Sequence, residues 1–431
     1  MSFFTPFKLP EVPKFKSFMA SIRDFGAEGN SIEKNNEAIL RAIDACEKAG
    51  GGRVIIPEGV WKCGPIHLKS NINLHLEKGS VLDFSKNFED YLPTVLTYRG
   101  GMALYGPSPF IYARNAENIA ITGDGVLQGN GYAFWGMAHS CPGMTDLRIA
   151  CRERRPVEKR VYGKVEDGVR PSFVQFINCA GVLIDGVTLL NSPSWGVHPV
   201  LCKNVTVRGI KISNPKGSPN TDGVDIESCK CVLVENCEID TADDIICIKS
   251  GRNQDGWDGA MLPCEDVLVR GCEGKNGSGG ATVGSETSGG VNNVMFENCS
   301  FDGAKCGIRV KTCRIRGGYI RNVSFYNVNL SHSAIAGIDV DMQAYAGSFE
   351  DKLYPDDNEN PEVRVPVVSN ISAENVKSVC SPIGIRLLGL ENHEIKGVEL
   401  KNIEIVADEA IKAEHTLDIK INSLNILGRT K

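Results

Sequence analysis

The sequence predicts an all-β solenoid with a short N-terminal capping helix. Three observations predict it: a six-residue strand template recurs eight times, a turn former holds the same place in every copy, and a small apolar residue follows it. The copies begin at Val182, Val205, Val232, Val267, Val294, Val323, Ile371 and Val398. Each alternates apolar and variable positions, the period-two pattern of a strand with one buried face. The fifth position is always Gly or Asn (Gly186, Gly209, Asn236, Gly271, Asn298, Asn327, Asn375, Asn402). These residues best tolerate left-handed backbone angles, so a turn is expected there, with stacked asparagines able to hydrogen-bond between coils. The sixth position is Val187, Ile210, Cys237, Cys272, Cys299, Val328, Val376 or Ile403. That is an expected interior ladder in which cysteine stands in for Val and Ile. A strand-rich unit of this size, stacked many times, is a solenoid; neither the consensus of a leucine-rich repeat nor the strand count of a propeller is present.

The remaining segments fit one domain spanning residues 1–431. Asn35 to Ala49 is expected to be the capping helix: Ile39, Ala42, Ile43 and Cys46 lie at helical spacing, and Gly50-Gly51-Gly52 ends it. Two inserts interrupt the rhythm. Tyr132 to Arg170 is rich in Arg and Lys, and Ala346 to Pro366 is acidic and broken by proline. Long loops on a regular scaffold are common places for binding function.

Composition narrows the function. The 431 residues are 42% apolar, enough for a large core, and the net charge of −6 argues against a general nucleic-acid binder. No run approaches the ~18 apolar residues of a membrane span. Met1 to Phe18 shows no apolar signal-peptide core, so a cytoplasmic location is expected. Of the sixteen cysteines, the repeat register places several in the core, and the ladder residues Cys237, Cys272 and Cys299 are expected to be buried thiols rather than disulfides or a metal cluster. No cofactor and no metal are expected.

The chemistry concentrates in two neighbouring coils. Asn220-Thr221-Asp222-Gly223-Val224-Asp225 precedes one template strand, and Asp240-Thr241-Ala242-Asp243-Asp244 follows it. With 21 residues between Asp222 and Asp243, about one coil, the two are expected to stack at the same angular position, ~4.8 Å apart. Hydrolysis of a glycosidic bond needs a carboxylic acid and a carboxylate base, and a separation of about 6.5–9.5 Å admits water and gives inversion. A single Asp is more often a turn or cap residue. An Asp-Asp pair one coil from a third Asp is harder to explain structurally, because like charges repel and must be partly desolvated. Arg309-Val310-Lys311 places two cations on one face of a strand, suited to an anionic sugar.

The order Asn220-Thr221-Asp222, Asp243-Asp244, Gly277-Ser278-Gly279, Arg309-Val310-Lys311 resembles glycoside hydrolase family 28, the polygalacturonases and rhamnogalacturonases. Asp24-Phe25-Gly26-Ala27, Asn191-Ser192-Pro193-Ser194-Trp195 and the loop Gly284 to Gly290 look most like bacterial exo-acting members. The resemblance implies a right-handed single-stranded parallel β-helix and inverting, exo-type cleavage of α-galacturonosidic linkages in pectin-derived oligosaccharides. It implies Asp243 as general acid and Asp222 with Asp244 as the pair that activates water. Arg309 and Lys311 would bind the substrate carboxylate, with Asn220, Ser278, Glu286, Tyr345 and His198 as further substrate-binding candidates. Ser278 stands where the family motif has histidine, which keeps a rhamnogalacturonan substrate as an alternative. A calcium-dependent lyase and a non-catalytic carbohydrate-binding solenoid are the readings from other classes.

Overall fold

Short strands with one apolar face, joined by left-handed turn residues, cannot bury that face alone; stacking coil upon coil buries it. In the computed structural model, which describes residues 7–354 and 365–428, this stacking builds a right-handed single-stranded parallel β-helix. The first of its three sheets carries all eight template copies, from Met19–Ser21 and Gly52–Ile56 through Ala180–Asp185, Lys203–Arg208 and Lys230–Glu235 to Thr416–Gly428. The second runs from Gly59–Cys63 through Ser80–Phe84 to Glu273–Asn276 and beyond. The third begins at Ile66–His67 and stacks Val174–Ile177, Val197–Val200, Val224–Glu227, Ile246–Lys249, Gly279–Val283, Cys306–Lys311 and Ala336–Asp341.

The turn and ladder expectations hold position by position. All eight fifth-position residues have φ between 52° and 81°. The side-chain amides of Asn327, Asn375 and Asn402 each donate to the asparagine one coil before, at 3.0 Å. The eight sixth-position side chains are buried in one core that extends from Ala20 to Ala407. Among the described residues, fifteen cysteines are free thiols, thirteen of them buried. Burial raises the pKa of Cys46 to about 11 and of Cys264 to about 12, which makes these two inert packing residues.

The capping helix spans Ile32–Lys48, three residues earlier than the apolar spacing indicates. Ser31 is the reason: its hydroxyl accepts from the Lys34 amide at 3.3 Å and caps a polar first turn. The helix covers the end of the solenoid with Ala38, Ile39, Ala42, Ile43 and Cys46. No helix of the described residues is long and apolar enough to cross a membrane.

The basic insert folds into short helices, chiefly Pro142–Arg152, and shares a small core (Met102, Leu104, Leu147, Cys151, Tyr162, Val169) with the antiparallel hairpin Val95–Arg99 and Met102–Gly106. Inside this wall Arg160 pairs with Asp255 at 2.7 Å. The acidic insert forms the helix Phe349–Lys352; its residues 355–364 lie outside the described residues.

Candidate active site

The third sheet faces inward with Val224, Ile246, Ala281 and Ile308 in register, and outward with Asp225, Cys247, Thr282 and Arg309. Lys249 and Lys311 at the ends of these strands, with the turns that enter them, form the floor of a cavity of about 500 Å3. Asp222, Asp243, Asp244, Asn220, Lys311, Glu286 and Tyr345 all line it.

The register differs by one residue from the expected stacking. Val224 pairs with Ile246, and the Gly223 amide donates to the Asp244 carbonyl at 2.9 Å, so Asp222 stands level with Asp244 rather than Asp243. The extra residue puts Asp243 beside the stacked pair, where it is half-buried while Asp222 and Asp244 are 3% and 1% exposed. Gly223 permits this close approach: a Cβ there would lie 2.5 Å from the Ile245 carbonyl oxygen. The Asn220 turn, at φ 52°, projects its amide toward Asp243, with Nδ2 3.5 Å from Oδ2.

One oxygen from each of the three carboxylates lies within 4.8 Å of the others. This is closer than the ~6.5–9.5 Å between carboxyl groups expected for an inverting pair. The cause is the stacking itself, since neighbouring coils sit ~4.8 Å apart. Such a triad is also a donor set a cation would suit, but two lysines already supply positive charge to it. Lys311 Nζ donates to Asp244 Oδ2 at 2.6 Å. Lys249 Nζ lies 3.8 Å from Asp222, 3.4 Å from Asp225 and 3.2 Å from Glu286.

These neighbours separate the protonation states. Burial first, then Asp225 and Asp243, hold the Asp222 carboxyl well above the ordinary range. Burial also opposes ionisation of Asp244, but Lys311, Lys249 and Arg309 outweigh it and hold Asp244 below that range. The two stacked carboxyls are thus biased in opposite directions, Asp222 toward its protonated form and Asp244 toward its anion. Asp222 Oδ1 and Asp244 Oδ1 are buried and accept no hydrogen bond from the described residues.

Two comparisons place this geometry in a family. The model of glycosyl hydrolases family 28 matches residues 157–422. A Vitis vinifera protein named as a probable polygalacturonase is 30% identical over 400 residues, covering 90% of this chain and 74% of its own length. The chain belongs to glycosyl hydrolase family 28. Among solved structures, a hyperthermoactive exopolygalacturonase from Thermotoga maritima superposes with a TM-score of 0.87 at 36% identity, over 96% of this chain and 94% of that one. The exo-poly-alpha-D-galacturonosidase of Dickeya chrysanthemi is 28% identical over 347 residues, 75% of this chain and 56% of its own length.

Within this family 28 chain, three of the expected site residues, His198, Ser278 and Arg309, do not line the cavity. The imidazole of His198 is fully buried beneath Trp195 and away from the cavity. Its Nε2 donates to Glu227 at 2.7 Å and its Nδ1 accepts from Gln175 at 2.8 Å. Burial lowers its pKa and keeps it neutral. Ser278 also stands off the cavity, and its backbone carbonyl, not its hydroxyl, accepts from Arg309 at 3.3 Å. Arg309 is not among the lining residues either, and its Nε lies 3.7 Å from Asp339. Glu286 lines the cavity but is saturated by Lys249 and Arg252, whose cations hold it well below the usual carboxylate range against the opposing effect of burial. Tyr345 is half exposed, has φ 66° and lines the cavity.

Sequence reasoning missed Arg99, Trp195, Lys249, Arg252 and Glu350 as lining residues, and took Arg148 and Arg170 only as part of a basic insert. Lys249 had a detectable signal: it is the charged end of an otherwise apolar strand directly after the Asp pair.

Proposed function

We propose that the chain is an exo-acting hydrolase of α-galacturonosidic linkages in pectin-derived oligosaccharides, working with inversion. The observation that carries this is geometric: the stacked carboxyls of Asp222 and Asp244 lie beside the more open Asp243, in a cavity also lined by Arg99, Arg148, Arg170 and Lys311. Such a lining favours an anionic sugar. Asp243, the most accessible of the three, protonates the leaving oxygen. Asp244, held as an anion by Lys311, takes a proton from a water seated against Asp222 Oδ1 and Asp244 Oδ1.

Spacing alone would suit a retaining enzyme. Burial argues otherwise, because a nucleophile must touch the anomeric carbon. Asp222 and Asp244 are almost wholly buried and Asp244 Oδ2 is tied to Lys311, whereas a water between them can reach outward. Exo action is supported by the walls. Arg148 Nε of the basic insert approaches Glu350 of the acidic one at 4.0 Å, so the two inserts meet at the cavity. The exo-acting relatives in Thermotoga maritima and Dickeya chrysanthemi support the same reading. Short oligomers would be met inside the cell, where the free thiols stay reduced; fractionation of the source cells checks that location.

Proton NMR of trigalacturonate hydrolysis tests the mechanism. The first product should carry the inverted anomeric configuration. Retained configuration, or an unsaturated product, would overturn it.

A further inference from the structure

Lys311 reaches the catalytic carboxylates from a coil on their C-terminal side, with Arg309 on the same strand behind it. A second group of cations stands on the N-terminal side. Arg99 ends a hairpin strand, and its guanidinium lies 5.5 Å from the centroid of the Trp195 ring. The Gly196 amide donates to the Asp222 carbonyl, so Trp195 occupies the position directly before Asp222 in the stack. Arg170 donates to the carbonyls of Pro193 and Pro219 at 3.0 and 2.7 Å, straddling those same two coils. The catalytic carboxylates thus lie between two groups of cations.

The partners of these cations differ. Among the described residues, buried Arg160, Arg252, Arg316, Lys249 and Lys311 each have a carboxylate within salt-bridge distance. Arg99 is 7% exposed, lines the cavity, and forms neither an ion pair nor a side-chain hydrogen bond among the described residues; its buried Nη1 is unpartnered. Desolvating a guanidinium without an anion is costly, and the cost is offset when a ligand supplies the anion. A planar fork of donors over an aromatic ring matches a planar carboxylate. Asp222 and Asp243 lie near enough to stabilise the cation but leave its donors free.

We infer that Arg99 is a specificity-determining residue that receives the carboxylate of the uronic acid seated at the walled end of the cavity, on the opposite side of the scissile bond from Lys311. Arg170, already committed to three acceptors, shapes the pocket and adds positive charge. The inference rests on the proposed galacturonide substrate and adds which side chain reads the terminal sugar.

The test uses trigalacturonate and two analogues in which one or the other terminal carboxylate is reduced to the alcohol. Wild-type enzyme should lose about 10- to 100-fold in kcat/KM on one analogue, the range of a charge-assisted hydrogen bond. Arg99→Gln should lose a similar factor on trigalacturonate and little more on that analogue, so that its discrimination collapses, and Arg99→Lys should restore part of it. A merely structural role would slow both substrates alike. Full discrimination retained in Arg99→Gln overturns the inference. Should that variant not fold, equal wild-type rates on trigalacturonate and both analogues overturn it. No hydrolysis of trigalacturonate by the wild type is a different outcome and removes the proposed function itself.

Discussion

Replacing one carboxyl oxygen of Asp243 by nitrogen removes the proton donor while keeping its size and its contact with the Asp244 amide. We expect Asp243→Asn to fold normally and to lose about 10²–10⁴-fold in kcat, the usual worth of a positioned proton transfer. Steady-state rates on oligogalacturonides check this, and a variant keeping a tenth of wild-type activity rules out the role. Asp222→Asn and Asp244→Asn should each be nearly as damaging, and their double variant far from additive, because they hold one water together. Asp225 behaves differently. Burial raises it to about 8 despite Lys249, so the folded chain holds a proton that the unfolded chain releases near pH 4. The folded state binds more protons across that window, and stability from this group falls as pH rises from about 4 to about 8. Asp225→Asn should therefore show a smaller drop in melting temperature between pH 5 and pH 8 than wild type; an equal drop would show that Asp225 is not the group responsible.

At the scale of one element, the asparagine ladder separates two effects that the sequence shows as one. Asn327 has φ 52°, donates to Asn298 and accepts from Asn375, each at 3.0 Å. Asn327→Gly keeps the backbone angle and loses only the ladder bonds, at a net cost of about 0.5–1.5 kcal/mol each. Asn327→Ala adds a left-handed strain of about 1–2 kcal/mol. Chemical denaturation should therefore rank wild type above Asn327→Gly above Asn327→Ala, and the reverse order of the variants would show that the turn does not demand a left-handed residue. The turn was legible in the sequence because Gly and Asn share a backbone property and recur at one template position. The register at the catalytic coils was not. Asp222 and Asp243 count 21 residues apart, yet Val224 pairs with Ile246, because coil length is set where the strands pair and the turn absorbs one residue more. The same limit hid His198, whose burial follows from packing under Trp195.

Across the whole molecule, the solenoid and its triad could be read from local patterns, whereas the cavity walls could not. Arg99, Arg148, Arg252 and Glu350 come from segments spread over some 250 residues and meet only after folding. No short motif records that Arg252 and Arg316 both grip Glu350, at 2.7 and 2.8 Å, or that Arg148 approaches it from the other insert. These contacts give the basic insert a meaning its charge alone did not. Arg154, Arg155 and Arg160 pair with Asp258, Asp146 and Asp255, while Arg148 and Arg170 line the cavity. Only part of the positive charge thus faces the cavity; the rest holds the wall in place. A groove open at both ends would bind the middle of a polymer, but one closed where the inserts meet admits a chain terminus. Digestion of polygalacturonan should accordingly release a single small product from the earliest times, with reducing ends rising well before viscosity falls. A ladder of intermediate lengths in early digests would mean that the contact between Arg148 and Glu350 opens in solution and that the cleft runs through.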